Sequence, residues 1–189
     1  GKAPGREREL YNRIAGITYD GQQVIKNADY EPFGPVGEWT WGNDTPSSPN
    51  KHTRYFDLAG RVGRIESGNG VDPSLIIYDA ASRITDLQKM TGAAVDPAKS
   101  TTYGYDSLDR LTAVTPNAGN PNPTRGFSYD GVGNRLTSTV AGSTTNYGYG
   151  TSSHRLNSLT GAIAKSYSYD SDGNRTADGT STWSYGGNN

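Results

Sequence analysis

The sequence predicts an all-β protein: a twisted, largely antiparallel sheet of consecutive β-hairpins. Two observations lead to this fold class. A short word, in which Tyr-Asp is followed by a turn and an arginine, returns at intervals of 20–27 residues, and this spacing fits one hairpin with its return loop. In addition, aromatic residues recur two positions apart, which places both rings on one face of a strand.

The composition is compatible with a sheet that has a thin core. Only 32% of the residues are hydrophobic, and Gly (25) and Pro (10) are frequent. The chain has 13 Tyr against 3 Phe and 3 Trp, and Tyr combines a large buried ring with a hydrated tip. A net charge of -1 argues against the self-repulsion typical of disordered chains.

Several function classes receive no support from the composition. A pI near 6.1 with mixed charges gives no electrostatic reason to expect a nucleic-acid partner. The absence of Cys excludes disulfides and thiolate metal sites. The longest apolar runs are too short to span a bilayer, and the N-terminus has no apolar segment typical of a signal peptide. We therefore expect neither nucleic-acid binding nor membrane insertion.

The repeated word is found at six places. They are residues 56–62 (with Phe in place of Tyr), 78–84, 105–111, 129–136, a degenerate 149–156, and 169–175. The residues assigned to these turns are Tyr78, Asp79, Arg83, Tyr105, Asp106, Arg110, Tyr129, Asp130, Gly133, Arg135, Tyr169, Asp170, Gly173 and Arg175.

The aromatic pairs mark the strand that leads into each turn. The form aromatic, small residue, Tyr occurs at 103–105, 127–129, 147–149, 167–169 and 183–185. Because strand side chains alternate between faces, each copy is expected to present two rings on one face and a small residue on the other.

The turn residues have a physical role in this interpretation. Asp after a strand starts a turn by accepting backbone N–H groups, and Gly supplies a left-handed conformation. The Arg is expected to lie opposite the preceding Tyr and to stack on it. Two copies have an additional Asn, for which we predict a glycine-type bulge at Gly133-Asn134 and Gly173-Asn174.

Residues 1–50 are less regular than residues 51–189. We interpret 1–50 as an irregular N-terminal cap or divergent repeats, with residues 6–11 as a solvated charged end rather than a short helix. Residues 51–189 form the repeat sheet, incomplete at its C-terminal end. Trp39 and Trp41 lie two apart on one strand face; core packing is favoured over ligand stacking.

No residue is assigned to catalysis, to a cofactor or to a metal. His52 and His154 are the two histidines, and neither lies in a carboxylate pattern typical of a metal site, so surface or turn roles are favoured. A calcium loop is also not favoured at residues 170–174, because the ligand series with a bidentate Glu is missing. We expect a protein that is not an enzyme and needs no cofactor.

These motifs resemble the YD-repeat, or Rhs-repeat, family, whose signature is Tyr-Asp-x-x-Gly-Arg or Tyr-Asp-x-x-Gly-Asn-Arg followed by an apolar residue. Residues 30–34 resemble the family's Tyr-Asp-Pro-Phe-Gly variant, and 19–21 resemble a worn copy. The resemblance implies long β-sheets that spiral into a hollow shell, as in bacterial polymorphic toxins, Tc-type toxin complexes, wall-associated proteins and teneurins. The family's self-cleavage segment, Asp-Pro-x-Gly, is not matched at Asp72 or Asp96.

The expected function is a non-catalytic structural module of such a shell, which encloses or displays a toxin or other cargo. The alternative is a carbohydrate- or receptor-binding surface module that uses exposed aromatic residues such as Trp39 and Trp41. The expected partners are the remainder of a larger Rhs-type protein or another copy, through strand edges, and a toxin cargo or a glycan. The resemblance implies a secreted or cell-surface location.

Overall fold

The structure is a computed structural model that describes residues 5–8, 13–32, 34–42, 45, 50–68 and 71–186. These residues form β-strands, turns and loops, with no helix among them, so none contains a helix that could span a membrane. Consecutive strands pair antiparallel through hairpins. The predicted fold class is therefore confirmed.

The chain divides into two compact units. Unit 1 contains residues 1–101 and 117–120, and unit 2 contains residues 102–116 and 121–189. The division falls inside strand β9 (Ala94–Tyr105). The predicted boundary at residue 50 lies between two strands that are hydrogen-bonded neighbours, and the interpretation of residues 1–50 as a cap or divergent repeats stays a prediction.

Unit 1 is an antiparallel meander in which neighbours in sequence are neighbours in the sheet. Its strands, besides the first part of β9, are β1 (Gly5–Arg8), β2 (Ile14–Tyr19), β3 (Gln22–Tyr30), β4 (Val36–Trp41), β5 (Lys51–Phe56), β6 (Val62–Ser67), β7 (Val71–Tyr78) and β8 (Ile84–Thr91). Residues 5–8 pair with β2, so the segment predicted at residues 6–11 begins as a strand and not as a helix. That this end is solvated stays a prediction. Residues 9–11 lie outside the described part.

Unit 2 begins at the end of β9. Its strands are β10 (Leu111–Pro116), β11 (Arg125–Tyr129), β12 (Arg135–Val140), β13 (Ser143–Tyr149), β14 (Leu156–Gly161), β15 (Lys165–Ser166), β16 (Ser168–Tyr169) and β17 (Arg175–Ala177). From the end of β9 to β15, unit 2 has the same antiparallel hairpin order, and β16 and β17 form a separate two-stranded sheet. Residue 182 forms a bridge to β17, so the chain begins a further pairing there.

The two faces of the sheet carry different side chains, which is clearest in unit 2. In β11, Phe127 and Tyr129 share one face, and Ser128 points to the other, where its Oγ lies 2.6 Å from Oγ1 of Thr137. In β13, Gly148 faces Ser158, whose Oγ would lie 2.5 Å from a Cβ added at that glycine. We call the first side the aromatic face and the second the small face.

The core is thin, as the composition indicates. Trp39 is a buried large apolar side chain, 8% exposed, whereas the tyrosines of the repeated word at 78, 105, 129 and 169 are half-buried. Most ring area is therefore covered by neighbouring side chains of the same face and not by a second layer within the described residues. Contacts between successive hairpins should for this reason contribute most of the stability.

Candidate functional site

The repeated turns are the most regular feature of the molecule. In the first of them, Oδ1 of Asp57 accepts the backbone N–H groups of Ala59 and Arg61, both at 2.9 Å. The other oxygen, Oδ2, accepts Nε of Arg61 at 2.7 Å. The same acceptor pattern recurs, within the described residues, at Asp79, Asp106, Asp130 and Asp170. We call these five-residue segments the Asp turns.

Two Asp turns end in Asn instead of Arg. Nδ2 of Asn134 donates to Oδ2 of Asp130 at 2.8 Å, and Asn174 does the same for Asp170 at 3.0 Å. Both asparagines therefore occupy the place of the turn-ending arginine. The prediction treated Asn as an extra residue, and this is wrong, because all five turns have the same length. The signal was available in the sequence as the constant separation of four residues between the Asp and the turn-ending side chain.

The predicted bulges also lie elsewhere. The strand pairing joins Tyr129 to Arg135 and Ser128 to Thr137, so the unpaired residue is Leu136 and not Gly133-Asn134. The corresponding unpaired residue after the turn at 170–174 is Thr176. Turns without Asn have the same bulge, at 63 and 85, so it belongs to the repeat and not to the Asn-containing copies.

The fourth residue of each Asp turn adopts a left-handed conformation. Gly133 has φ = 96° and Gly173 has φ = 90°, but Ser82 (65°) and Asp109 (62°) occupy the same position without the freedom of glycine. A left-handed conformation costs a non-glycine residue about 1–2 kcal/mol. The Asp cap is thus strong enough to impose it.

Hydrogen bonds hold the carboxylates of the Asp turns in their ionised form. The backbone N–H of the turn-ending arginine is the main cause of a pKa below the usual 3.8 at Asp57, Asp79 and Asp106. At Asp170 the main cause of the lowered pKa is the Asn174 amide. Desolvation is the largest influence at Asp130 and raises its pKa, but the donors of Asn134, Val132 and Gly133 together lower it.

Most tyrosines of the repeated word are hydrogen-bonded through their hydroxyl to the preceding hairpin. The hydroxyl of Tyr129 donates to the carbonyl of Leu111, the first residue after the preceding turn, at 2.9 Å. Equivalent bonds of 2.8–3.0 Å join Tyr30 to Ile14, Tyr78 to Val62, Tyr149 to Arg135, Tyr169 to Leu156 and Tyr185 to Arg175. This ladder of hydroxyl groups is not predicted by the sequence pattern, which shows the ring positions but not their partners.

The turn-ending arginines reach in the same direction. Cζ of Arg110 lies 4.8 Å from the ring centroid of Tyr129, and its Nη1 donates to the carbonyl of Asp130 at 2.7 Å. Arg61 lies likewise over Tyr78, at 4.5 Å. The predicted stacking partner, the Tyr or Phe of the same hairpin, is therefore wrong for Arg61 and Arg110. Each guanidinium connects its own turn to the next hairpin.

The arginines that follow Asn use other rings. Cζ of Arg135 lies 4.4 Å from the Tyr147 ring and 5.9 Å from Phe127, and its Nη2 donates to the Tyr147 hydroxyl at 2.7 Å. Arg175 lies 4.6 Å from Trp183 and 5.9 Å from Tyr167. These side chains stand on the aromatic face itself, between the first rings of consecutive aromatic pairs.

Two further segments were assigned to the word. Near residue 30, Glu31, Gly34 and Pro35 make the backbone bonds of an Asp turn, from Glu31 N to Pro35 O (3.1 Å) and from Gly34 N to Glu31 O (2.9 Å). Residues 19–22 are instead a two-residue hairpin turn, in which Asp20 and Gly21 both have positive φ. That pattern is typical of a type I′ turn, so the assignment of 19–21 as a worn copy is wrong.

The degenerate turn at 150–155 lacks the Asp. Its closing bonds run from Gly150 N to Arg155 O and from Ser153 N to Gly150 O, each 3.2 Å. The Ser153 hydroxyl would lie 2.7 Å from a Cβ added at Gly150 and accepts the Arg155 N–H at 3.4 Å. A serine hydroxyl thus takes over part of the role of the carboxylate.

The two tryptophans of β4 differ in exposure. Trp39 stacks on His52 with ring centroids 4.0 Å apart, and Cζ of Arg54 lies 4.9 Å from its ring. Trp41 meets Trp39 edge to face at 5.7 Å and keeps 36% of its surface exposed. Trp39 is therefore packed among its neighbours, and Trp41 is the ring of this pair that remains accessible.

The histidines lie in different surroundings. Burial, followed by the charge of Arg54, lowers the pKa of His52, whose Nδ1 lies 2.9 Å from Oγ of Ser67. His154 is exposed in the degenerate turn beside Asn134. In the described ranges, no three His, Asp or Glu side chains lie close enough together to hold a metal ion.

A shallow cavity of about 350 Å³ lies near the end of unit 2. Lys165 and Asp178 line it and form an ion pair at 3.4 Å. Its remaining lining consists of small and hydroxyl-bearing residues, among them Ser158, Thr160 and Thr180.

Comparison with known proteins is consistent with this geometry. An alignment of 75 residues is 41% identical to the tRNA3(Ser)-specific nuclease WapA of Bacillus spizizenii, and an alignment of the same length and identity is found with the tRNA nuclease WapA of Bacillus subtilis. Each alignment covers 38% of this chain and 3% of the relative. The chain thus spans a small fraction of the curated relatives that it matches.

Two solved structures show the same fold. One is the Photorhabdus luminescens Tc holotoxin pore (TM-score 0.64, 16% identity), and the other is the TcdB2-TccC3-Cdc42 structure (TM-score 0.66, 17% identity). Each similarity covers 92% of this chain and 11% of the other chain. The model of the teneurin YD-shell family matches residues 69–186, more than half of the sequence. The chain belongs to the teneurin YD-shell family.

Proposed function

We propose that the protein is a non-catalytic wall module of a YD-repeat shell that encloses or displays a toxin or another cargo. The observation that carries this proposal is the ladder between hairpins. Six tyrosine hydroxyls and the turn-ending guanidinium groups of Arg61 and Arg110 contact a neighbouring hairpin. The repeats therefore reinforce a continuous surface and are not arranged around one reaction centre.

The partners follow from the same geometry. A ladder of this kind can be extended by any segment with the same word, which favours pairing with further repeats of a larger protein or with another copy through strand edges. Membership of the YD-shell family favours a secreted or cell-surface location. The relatives named as tRNA nucleases support a toxin as the cargo more directly than they support nuclease activity in these repeats, since the match covers 3% of their length.

A graft tests the wall function. Residues 71–186 would replace the structurally matching hairpins of the TcdB2-TccC3 shell, and protection of an enclosed reporter protein from added protease would be measured. We expect protection equal to that of the unaltered shell. A matched graft in which Asp106, Asp130 and Asp170 are replaced by Ala should leave the reporter exposed. Equal digestion of the reporter in the intact graft and in this control would contradict the proposal.

A further inference from the structure

The arginines of unit 2 fall into two groups. Arg110 is neutralised by Asp106, with Nε 2.7 Å from Oδ2. Four others have no carboxylate within ion-pair distance in the described part of the chain, and they are Arg125, Arg135, Arg155 and Arg175. The hydrogen bonds between hairpins do not require these four unpaired positive charges, so the charges call for another explanation.

The first two of these arginines share the aromatic face. Arg125, Phe127 and Tyr129 alternate along β11, and residues two apart point to the same side. Arg135 lies opposite Tyr129 in β12 and contacts the rings of both Phe127 and Tyr147. The face therefore continues from β11 to β13.

The other two arginines contact rings that lie further along the same face. Tyr147 pairs with Leu159, and Leu159 pairs with Lys165, so Tyr167 and Tyr169, two and four residues further, remain on that side. Cζ of Arg155 lies 5.7 Å from the Tyr169 ring, and Cζ of Arg175 lies 5.9 Å from Tyr167.

These guanidinium groups retain donors for a ligand. A guanidinium has five N–H donors in its plane, and stacking on a ring leaves the edge of that plane available. Arg135 uses one donor on the Tyr147 hydroxyl, and its Nε is buried, so its other Nη donors are the ones that can reach a ligand. Arg125, Arg155 and Arg175 are exposed.

The spacing and the surrounding charges select the kind of ligand. Adjacent strands are about 4.8 Å apart, so the backbone of Arg135 in β12 lies roughly 10 Å from the start of β14, which follows Arg155. Three residues of an extended peptide span the same distance. The guanidinium of Arg155 reaches on to Gly173, two residues before Arg175. The exposed Asp172 and the carboxylates of Asp130 and Asp170 lie at the hairpin ends, where they would repel a continuous polyphosphate.

We propose that the aromatic face of unit 2 is a docking surface for an acidic polypeptide segment, whose separate carboxylates bind the row formed by Arg125, Arg135, Arg155 and Arg175. The inference deepens the proposed wall function, because it assigns this face to contact with an acidic stretch of the enclosed or displayed polypeptide. It is tested on the isolated chain, so its failure would leave the result of the graft unchanged, and failure of the graft would leave the binding measurement unchanged.

The experiment measures binding of fluorescent poly-L-glutamate to the full chain at low salt. We expect saturable binding that weakens as salt is added. Replacing Arg125, Arg155 and Arg175 with Gln should lower the affinity by about 10-fold, since each exposed charge pair contributes about 0.2–1 kcal/mol. Arg125→Gln alone, which removes no ring contact, should lower it about 2-fold.

A matched variant removes the same number of positive charges from unit 1, with Lys26, Lys51 and Lys99 changed to Gln. It should bind poly-L-glutamate within about 2-fold of the wild type. Equal losses in both triple variants, wild-type affinity in the arginine variant, or no binding by the wild type would overturn the proposal. Tighter binding of a single-stranded RNA than of poly-L-glutamate at equal salt would overturn it in favour of a nucleic-acid surface. If the triple arginine variant does not fold, the poly-L-glutamate affinities of the single variants Arg125→Gln and Lys51→Gln are compared instead. Equal affinities of these two variants would overturn the proposal.

Discussion

The Asp turns that end in Arg and those that end in Asn have the same backbone but different connections. Asp106 and Asp130 each accept two backbone N–H groups and one side-chain donor. Arg110 continues from its turn to the next hairpin, where it meets the Tyr129 ring and the Asp130 carbonyl. Asn134 is shorter, and its further contact is with His154.

The comparison separates two tasks of the repeated word. The aspartate stabilises the turn conformation, whether the turn-ending residue is Arg or Asn. The guanidinium connects hairpins, and where Asn takes its place the next residue, Arg135 or Arg175, stacks on the aromatic face instead. A chain that alternates the two turns therefore distributes its cations between the hairpin ends and the face.

The largest effect should come from removing an Asp cap. Asp106→Ala and Asp130→Ala should each lower the melting temperature by several degrees, because each leaves three donors without their acceptor. The two losses should be similar if the cap is independent of the turn-ending residue. Thermal unfolding followed by circular dichroism measures both. A much smaller loss for Asp130→Ala would show that Asn134 does not need the carboxylate.

The second prediction concerns the connection between hairpins. Arg110→Gln should destabilise the protein by about 1–2 kcal/mol, because it removes the Tyr129 contact and the bond to the Asp130 carbonyl. Asn134→Ala should cost about 1 kcal/mol or less. Urea unfolding of the two variants compares them directly. Equal losses in the free energy of unfolding for the two variants would mean that the Arg110 guanidinium does not stabilise the contact between hairpins.

The hydroxyl ladder gives a third, matched comparison. Tyr129→Phe removes the bond to the Leu111 carbonyl and should cost about 1 kcal/mol. Tyr103→Phe is the control, since no hydrogen bond of its hydroxyl is found among the described residues, and it should change the free energy of unfolding by less than about 0.5 kcal/mol. The ladder would lose its proposed role if both variants were equally stable.

Glycine within the same turn allows a fourth comparison. Gly133→Ala places a side chain at φ = 96° and should cost about 1 kcal/mol from backbone strain, because nothing lies within 4 Å of the added Cβ. Gly131→Ala in the same turn meets no neighbour and has no positive φ, so it should be neutral or slightly stabilising. Unfolding curves that show equal costs for both changes would argue against strain as the cause.

Acid should act on both kinds of turn in the same direction. The pKa of Asp57, Asp79, Asp106, Asp130 and Asp170 is lowered in the folded state. The unfolded chain then binds protons more readily, so this stabilisation is complete above the usual pKa of 3.8 and is lost as the pH falls through the lowered values. The melting temperature, measured from pH 6 down to roughly pH 2.5, should decrease as the pH falls below the usual pKa. The decrease should be less steep for Asp106→Asn than for the wild type.

The sequence by itself determined the hairpin order, the positions of the repeated turns and the alternation of faces. These features depend on residues close together in the chain: an Asp that caps N–H groups two and four positions ahead, and rings two positions apart. The segment at 30–34 shows how far this extends, because its resemblance to the family's Tyr-Asp-Pro-Phe-Gly variant was sufficient to identify a turn without Asp or Arg.

The tertiary structure decided which ring each guanidinium meets, where the bulge lies and that Trp39 is covered. A sequence shows which residues share a face. It does not show whether a long side chain lies nearer to a ring of its own hairpin or to a ring of the next hairpin. The sequence pattern is compatible with a contact between Arg110 and either Tyr105 or Tyr129. The lateral pairing of the strands is what places the Tyr129 ring beside the guanidinium. The contacts that connect one hairpin to the next are therefore properties of the assembled sheet.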